Sequence, residues 1–386
     1  MKIVFLGCTD NYGYGFGANV TKISYMVKGL TASGAECYIH NGICGNNYVT
    51  KEETKEIDGI PVTSLKKRWH EIVSWLFNIG KVFRYLRRQY NKDKKNVVIV
   101  EMDMYHIFLL YYLFCKIIGY KLVVISHEWG PTIVEVNKLR KPSIWIYTKT
   151  FGYIADGIMP ISEYIIDKIK HFKKPYYKLP ILAEFTKVES DTSDICNKNE
   201  RTNLVYCASV YYKRIIMMIL NAYKIYNNAN GKFKLTLILN GPQDKLDDIQ
   251  EEINQMHIQE YVIIKTKLPY NELLNEYATA VALIIPLDPE CEQDEARFSQ
   301  KIAEYLSSKS PIVTNNVGEI KYYFNDDEVI KCNYSEESFA RTFCWIENNM
   351  ERCHEIGING YKKGKKEFDY KTKGEEMNHF FASLYK

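Results

Sequence analysis

Residues 297–320 read RFSQKIAEYLSSKSPIVTNNVGEI: a helix from about Ser299, a short turn, a strand ending at Thr314 and a polar loop. Ser299 carries the short oxygen-bearing side chain that caps helix starts, so the neighbouring amides form an anion site, and Lys301 adds positive charge in the first turn. Glu304 follows roughly one and a half helical turns into the segment, at the reach of a pentose joined to phosphates held by the helix start. A carboxylate there can accept from two ribose hydroxyls. The bland alternative is an amphipathic helix with Lys301 and Glu304 on its wet face.

The same alternation of helix and short apolar run extends through the chain. Strand candidates are 2–7, 36–41, 96–101, 121–126 and 157–160, then a fresh series at 203–206, 234–239, 261–265, 281–286 and 311–314. This is the pattern of parallel sheets with crossover helices, so the expected fold class is α/β. A length of 386 residues exceeds what one hydrophobic core organises, which calls for two domains. The polar, aperiodic stretch 185–201 (FTKVESDTSDICNKNER) separates the two series. The expected division is therefore 1–186, a linker 187–201 and 202–371, with a helix over about 372–386 returning to the first domain.

Apolar residues at 46% and charged residues at 25% give the balance of a folded protein and exclude disorder, while a net charge of +4 spread along the chain calls for no nucleic-acid partner. The ten cysteines include no C-x-x-C pair and no histidine at zinc-finger spacing, which reads as reduced thiols in a cytoplasmic protein without a metal or other cofactor. The apolar run after Met1-Lys2 is too short for a signal peptide, and the apolar stretch 107–118 falls short of the ~20 residues that cross a bilayer.

Three further segments carry chemistry. The loop 7–19 (GCTDNYGYGFGAN) places Gly15 and Gly17 before a helix start, where free amides favour a phosphate; the alternative is a mobile turn. Ser126-His127-Glu128 follows a buried strand directly, where open α/β sheets bind ligands, although a packing histidine sits equally well there. Ser209 through Lys213 and Arg214 forms a strand-to-helix turn whose two cations suit a departing diphosphate, or are simply a solvated basic turn. Glu101-Met102-Asp103 is a weak metal candidate at a strand end.

The segment K-I-A-E-Y-L-S-S-K-S-P-I-V-T resembles the family-4 retaining glycosyltransferases of GT-B fold, whose second domain has a Glu-bearing helix followed by Y-x-x-x-G-x-P-V-V. Residues 156–164 (DGIMPISEY) resemble the family's A-D-x-I-I-x-x-S strand, and 178–185 (KLPILAEF) its segment before the linker. The resemblance implies two Rossmann-like domains whose parallel sheets face across a cleft. It further implies that Glu304 binds donor ribose, that Ser299, Gln300, Lys301 and Ile302 meet the diphosphate with Arg214 and Lys213, and that Lys267 and Leu268 lie near the base. His127 then stands near the transferred sugar, and Gly15 and Gly17 line the cleft. The family's first glutamate is replaced by Ala296, flanked by Glu295 and Arg297; Glu295 serves after a one-residue shift. Ser209 stands where many members place an arginine.

The implied activity is metal-independent transfer of a sugar from a nucleotide-sugar donor to a glycan or lipid-linked acceptor, with retention, in polysaccharide biosynthesis. Rival readings are an inactive glycan- or partner-binding homologue and a sugar-nucleotide epimerase. A helix candidate from Lys66 to Arg88 mixes cations with aromatic residues and suits the inner face of a membrane, or equally a helix packed on the sheet.

Overall fold

The computed structural model describes residues 1–8, 12–14, 17–102, 104–133, 140–185 and 201–386, apart from the side chains of Ala18 and Glu71. The expected linker therefore lies outside the described residues except for Arg201, as do Gly15 and Asp103. The chain divides into two compact units: unit 1 comprises Met1–Leu182, Ala296–Gln300 and Phe368–Lys386, and unit 2 comprises Ala183–Glu295 and Lys301–Glu367.

In unit 1 the elements run β1 (Lys2–Leu6), α1 (Ala18–Ala32), β2 (Glu36–His40), β3 (Glu53–Ile57), β4 (Ile60–Ser64), α2 (Glu71–Gln89), β5 (Asn96–Val100), α3 (Tyr105–Ile118), β6 (Lys121–Ser126), α4 (Lys141–Ile154), β7 (Gly157–Pro160) and α5 (Glu163–Ile169). The strands form one sheet in the order β3-β4-β2-β1-β5-β6-β7, parallel except for the β3–β4 pair. Strand β5 (NVVIV) is buried along its whole length, as expected where helices cover both faces of a parallel sheet.

The β3–β4 hairpin was not among the expected strands. It turns at Asp58 and Gly59, both at positive φ (51° and 77°), the pair that matches the right-handed twist of the strands it joins. Its outer strand ETKEI is charged and mostly exposed, which blunts a free edge.

Helix α1 packs against the C-terminal helix Tyr370–Ser383. The approach depends on two glycines, since a Cβ on Gly374 would lie 2.2 Å from the Gly29 carbonyl carbon. The other helices form a layer with α3 between α2 and α4: Phe83 meets Phe114 edge-on at 5.2 Å, and Phe108 meets Tyr147 at 5.2 Å. Helix α2 starts at Glu71, capped by His70, whose Nδ1 accepts from the Ile72 amide at 3.3 Å. The basic residues Lys66, Lys67 and Arg68 thus precede the helix rather than opening it, and Lys66 bridges to Asn46 as a strand residue does.

In unit 2 the elements are β8 (Asn203–Ser209), α6 (Lys213–Asn228), β9 (Lys234–Asn240), α7 (Gln243–Gln255), β10 (Val262–Lys265), α8 (Tyr270–Ala278), β11 (Ala282–Ile284), α9 (Glu292–Ala296), α10 (Gln300–Ser307), β12 (Ile312–Thr314) and β13 (Ile330–Lys331), followed by further helices. The strands make a wholly parallel sheet in the order β10-β9-β8-β11-β12-β13. Its core is filled by Ile216, Ile219, Leu235, Leu237 and the buried rings of Tyr223 and Tyr226.

Candidate functional site

In unit 1 the connections reverse direction at β1 and β5: β1 leads outward to β2, and β5 leads the other way to β6. Diverging connections open a crevice beyond the carboxyl ends of the strands at such a point. A cavity of about 540 Å³ occupies it, walled by Cys8 after β1, Glu101 after β5, His127 and Glu128 after β6, and Asn19 at the start of α1. Gly17, the residue before α1, also borders it.

His127 and Glu101 meet in the wall of this pocket. The buried imidazole places Nδ1 3.1 Å from Glu101 Oε1. Burial pushes the imidazole down to about 4, the Lys22 charge works the same way, and Glu101 opposes them. A neutral ring follows at physiological pH, and the hydrogen-bond network assigns the proton to Nδ1, where it donates to the carboxylate. Nε2 is then an acceptor; it is buried and has no partner among the described residues, as is Glu101 Oε2. Burial works to raise the Glu101 carboxyl, but His127, Lys22 and a hydrogen bond from Asn19 outweigh it and hold it below the ordinary carboxylate range. Lys22, on α1, is itself pushed down to about 7 by burial, with Glu101 and Glu128 pulling it back up. The Cys8 thiol donates to the Ile99 carbonyl at 3.4 Å and is raised far above its usual value by burial, so it is no nucleophile. The sequence reading found His127 but not Lys22 or Asn19, and read Glu101 as a metal candidate rather than the partner of the histidine.

In unit 2 the helix α10 lies on the carboxyl end of β8: the Cys207 amide donates to the Tyr305 hydroxyl at 3.2 Å, and the Tyr305 ring meets Tyr277 edge-on at 4.8 Å. Glu304, one residue earlier, is buried, and its carboxylate has no hydrogen-bond partner among the described residues. Burial pushes it up to about 7, and only Lys301 pulls it down. Its field reaches the Cys207 thiol and the Tyr277 hydroxyl, which locates it beside the end of β8.

The other expected residues separate by role. Lys213 and Arg214 point to different partners: Lys213 Nζ lies 3.0 Å from Glu252 on α7, while Arg214 forms an ion pair with buried Asp288. Asp288 is held by a tight loop, its amide donating to Asp294 Oδ2 at 2.8 Å. Ser209 accepts from the Tyr211 amide at 3.5 Å, and Glu295 is clamped by Lys321 at 2.7 Å. Gln300 spends its side-chain amide on the Leu182 backbone, Ile302 is core, and Ser299 and Arg297 are half-buried. The Lys267 amide donates to Asn240 Oδ1 at 3.3 Å, so the loops after β9 and β10 are tied together; Leu268 follows, half-buried. Ala296, where the family has its first glutamate, is buried, and its carbonyl accepts from Ser162 Oγ at 2.6 Å.

Residues 191–363 match the family described as Glycosyl transferases group 1. No curated protein matches the chain by sequence. Solved structures match over its whole length. Sucrose-phosphate synthase from Thermosynechococcus elongatus aligns with a TM-score of 0.73 at 9% identity, covering 100% of this chain and 98% of that one. HepE from Anabaena, in complex with UDP and glucose, aligns with a TM-score of 0.71 at 10% identity over 99% and 100% of the two chains. A glycosyltransferase from Rickettsia africae gives 0.73 at 12% identity over 100% and 98%. Residues 191–363 thus resemble the glycosyl transferases group 1 family, and along its length the chain has the GT-B fold.

Proposed function

We propose that the protein is a retaining, family-4-like glycosyltransferase that moves a sugar from a nucleotide-sugar donor to a hydroxyl of a glycan or lipid-linked acceptor in polysaccharide assembly in the cytoplasm. The observation that carries the reading is Glu304, a buried carboxylate without a hydrogen-bond partner among the described residues, beside Lys301 on α10 within the family-matched segment. A buried carboxylate left unpaired costs free energy that two ribose hydroxyls would offset. The HepE structures hold UDP and UDP-glucose, which supports a nucleotide-sugar donor.

In this reading the donor diphosphate lies at the start of α10, where Lys301 and the first helix amides meet its charge as the bond to the sugar breaks. Arg214 joins them by exchanging one oxyanion partner, Asp288, for another. Protein cations supply this stabilisation, and no metal takes part. His127 Nε2 accepts from a sugar hydroxyl, and Glu101 keeps the ring in the tautomer that does so. The free cysteines fit a reducing compartment.

Isothermal titration with UDP and turnover of a panel of nucleotide sugars, in chelator and in added magnesium, test the reading. Tight UDP binding lost in Glu304→Ala, with turnover indifferent to chelator, is expected. Donor hydrolysis unchanged by that substitution would sink it.

A further inference from the structure

We infer that the outer face of the α2–α3–α4 layer of unit 1 docks on an anionic lipid bilayer. The layer is ordinary on its inner side, where Val82, Leu86, Ile107, Phe108, Phe114 and Phe151 are buried. Its outer side is not. Trp69 is 88% exposed just before α2, Leu76 is 72% exposed on it, Ile117 is 70% exposed on α3, and Trp145 is 62% exposed on α4. Ile72, Phe77, Leu113, Ile146 and Tyr153 are exposed beside them at the same helical spacings. Large apolar side chains scattered singly need no explanation, but a stripe on each of three adjacent helices does.

The charge on this face selects the occupant. Helix α2 carries Lys81, Arg84, Arg87 and Arg88, α3 carries Lys116, and α4 carries Lys141 and Lys149. Across the three helices the only acidic residue is Glu71, at the first position of α2. Lys81 is neutralised by Glu52 at 3.0 Å, whereas Arg87, Arg88, Lys116 and Lys149 are exposed and have no acidic partner among the described residues. The Arg68 guanidinium lies over the Phe77 ring at 4.7 Å, cation and aromatic side by side at the surface. The C-terminal helix, by contrast, mixes Lys371 and Lys373 with Glu375 and Glu376.

Aromatic and aliphatic side chains interleaved with unpaired cations fit a headgroup region of opposite sign, where the rings enter the interface and each cation adds attraction. A second copy of this chain meeting the same face would set cations against cations. No described helix is long and apolar enough to cross a membrane, so the contact is with the surface of the bilayer. The docking face and the pocket share elements: Met104 before α3, and Ile144 and Tyr147 on α4, wall the cavity, while Trp145 and Ile146 point outward from the same turn. Resting on the transferase reading, this would let the pocket draw a lipid-linked acceptor from the bilayer.

The test is co-sedimentation of the full chain with vesicles of phosphatidylcholine alone and of phosphatidylcholine mixed with phosphatidylglycerol, at low and high salt. Partitioning onto the anionic vesicles at low salt should exceed that onto neutral ones by about tenfold or more, at about fivefold for each engaged cation. Arg87→Gln with Arg88→Gln should abolish most of the salt-sensitive part. Leu76→Ser with Trp145→Ser should lower binding about tenfold at both salts, in a chain whose circular dichroism is unchanged. Equal partitioning onto both vesicle types, or light scattering that reveals a dimer dissolved by Leu76→Ser, would overturn the inference. UDP titration of the same variants keeps the two proposals apart. Wild type that binds vesicles but not UDP breaks the transferase reading alone, and wild type that binds UDP but not anionic vesicles breaks this one.

Discussion

Two glutamates, one in each unit, Glu304 buried and Glu101 half-buried, are displaced in opposite directions. Glu304 in unit 2 is pushed up to about 7, whereas Glu101 in unit 1 is held below the ordinary carboxylate range. Burial raises both. Glu101 has His127, Lys22 and Asn19 around it, and Glu304 has Lys301 alone. Burial thus does not decide the charge of a carboxyl group; the number of donors brought to it does. Glu101 is an anion already paired on one oxygen with His127, while Glu304 has only the Lys301 charge to favour its ionised form.

The largest effect that would break this contrast is on donor binding. Glu304→Ala should weaken UDP binding by about 10- to 100-fold in calorimetry, since hydrogen bonds to a charged group are worth about 1.5–3 kcal/mol. Glu101→Gln should leave UDP affinity within about twofold, because Glu101 belongs to the other unit's pocket. A comparable loss in both variants would dissolve the distinction.

Next comes turnover. His127→Ala should lower kcat about 100-fold, and Glu101→Gln about tenfold through the freed ring. An activity of Glu101→Gln equal to wild type would show that the dyad orients nothing.

Stability against pH should then separate the two carboxyls by sign. Glu304 titrates higher in the folded state than in the unfolded one, so the folded chain loses about 3 kcal/mol as pH rises from about 4.5 to 7; Glu304→Gln should remove that slope in urea melts. Glu101 and His127 titrate lower when folded, so their contribution is present above their unfolded values and lost as pH falls. For His127 that window runs from about 6.5 down to about 4. UDP should accordingly bind more tightly as pH rises through 7 in wild type and not in Glu304→Gln, which also controls for ionisation of the nucleotide.

The smallest effects sharpen the cause. Lys301→Gln should move the Glu304 carboxyl further up, and Lys22→Met should move the His127 imidazole up, each by less than about one unit in NMR titrations. Shifts in the opposite direction would show that the charge is not what each carboxyl and imidazole feels.

Much of this architecture was legible in the residues. Runs such as NVVIV over 96–100 and KLVVIS over 121–126 are buried β-branched strands, and their alternation with helices identifies the α/β class. The β3–β4 hairpin was also written in the chain, in Ile57-Asp58-Gly59-Ile60, but its charged outer strand lacks the apolar alternation that marks a strand. Lys213 and Arg214 show the limit of reading neighbours. Adjacent residues on a helix start diverge by about 100°, and the two cations reach Glu252 and Asp288 instead of one shared anion. Gln300 likewise sits in a promising motif, yet its amide closes the Leu182 backbone.

The sequence alone determined the fold class and most of the elements, and it marked His127 and Glu304 as candidates, because periodicity and strand-end position are local properties. Only the tertiary structure decided what charge those residues hold. Glu101 stands 26 positions before His127, and Lys22 lies on another element again, so no window along the chain contains all three. Ionisation in a buried site depends on the distance between groups in space, and that distance exists only once the sheet has brought the ends of β1, β5 and β6 together.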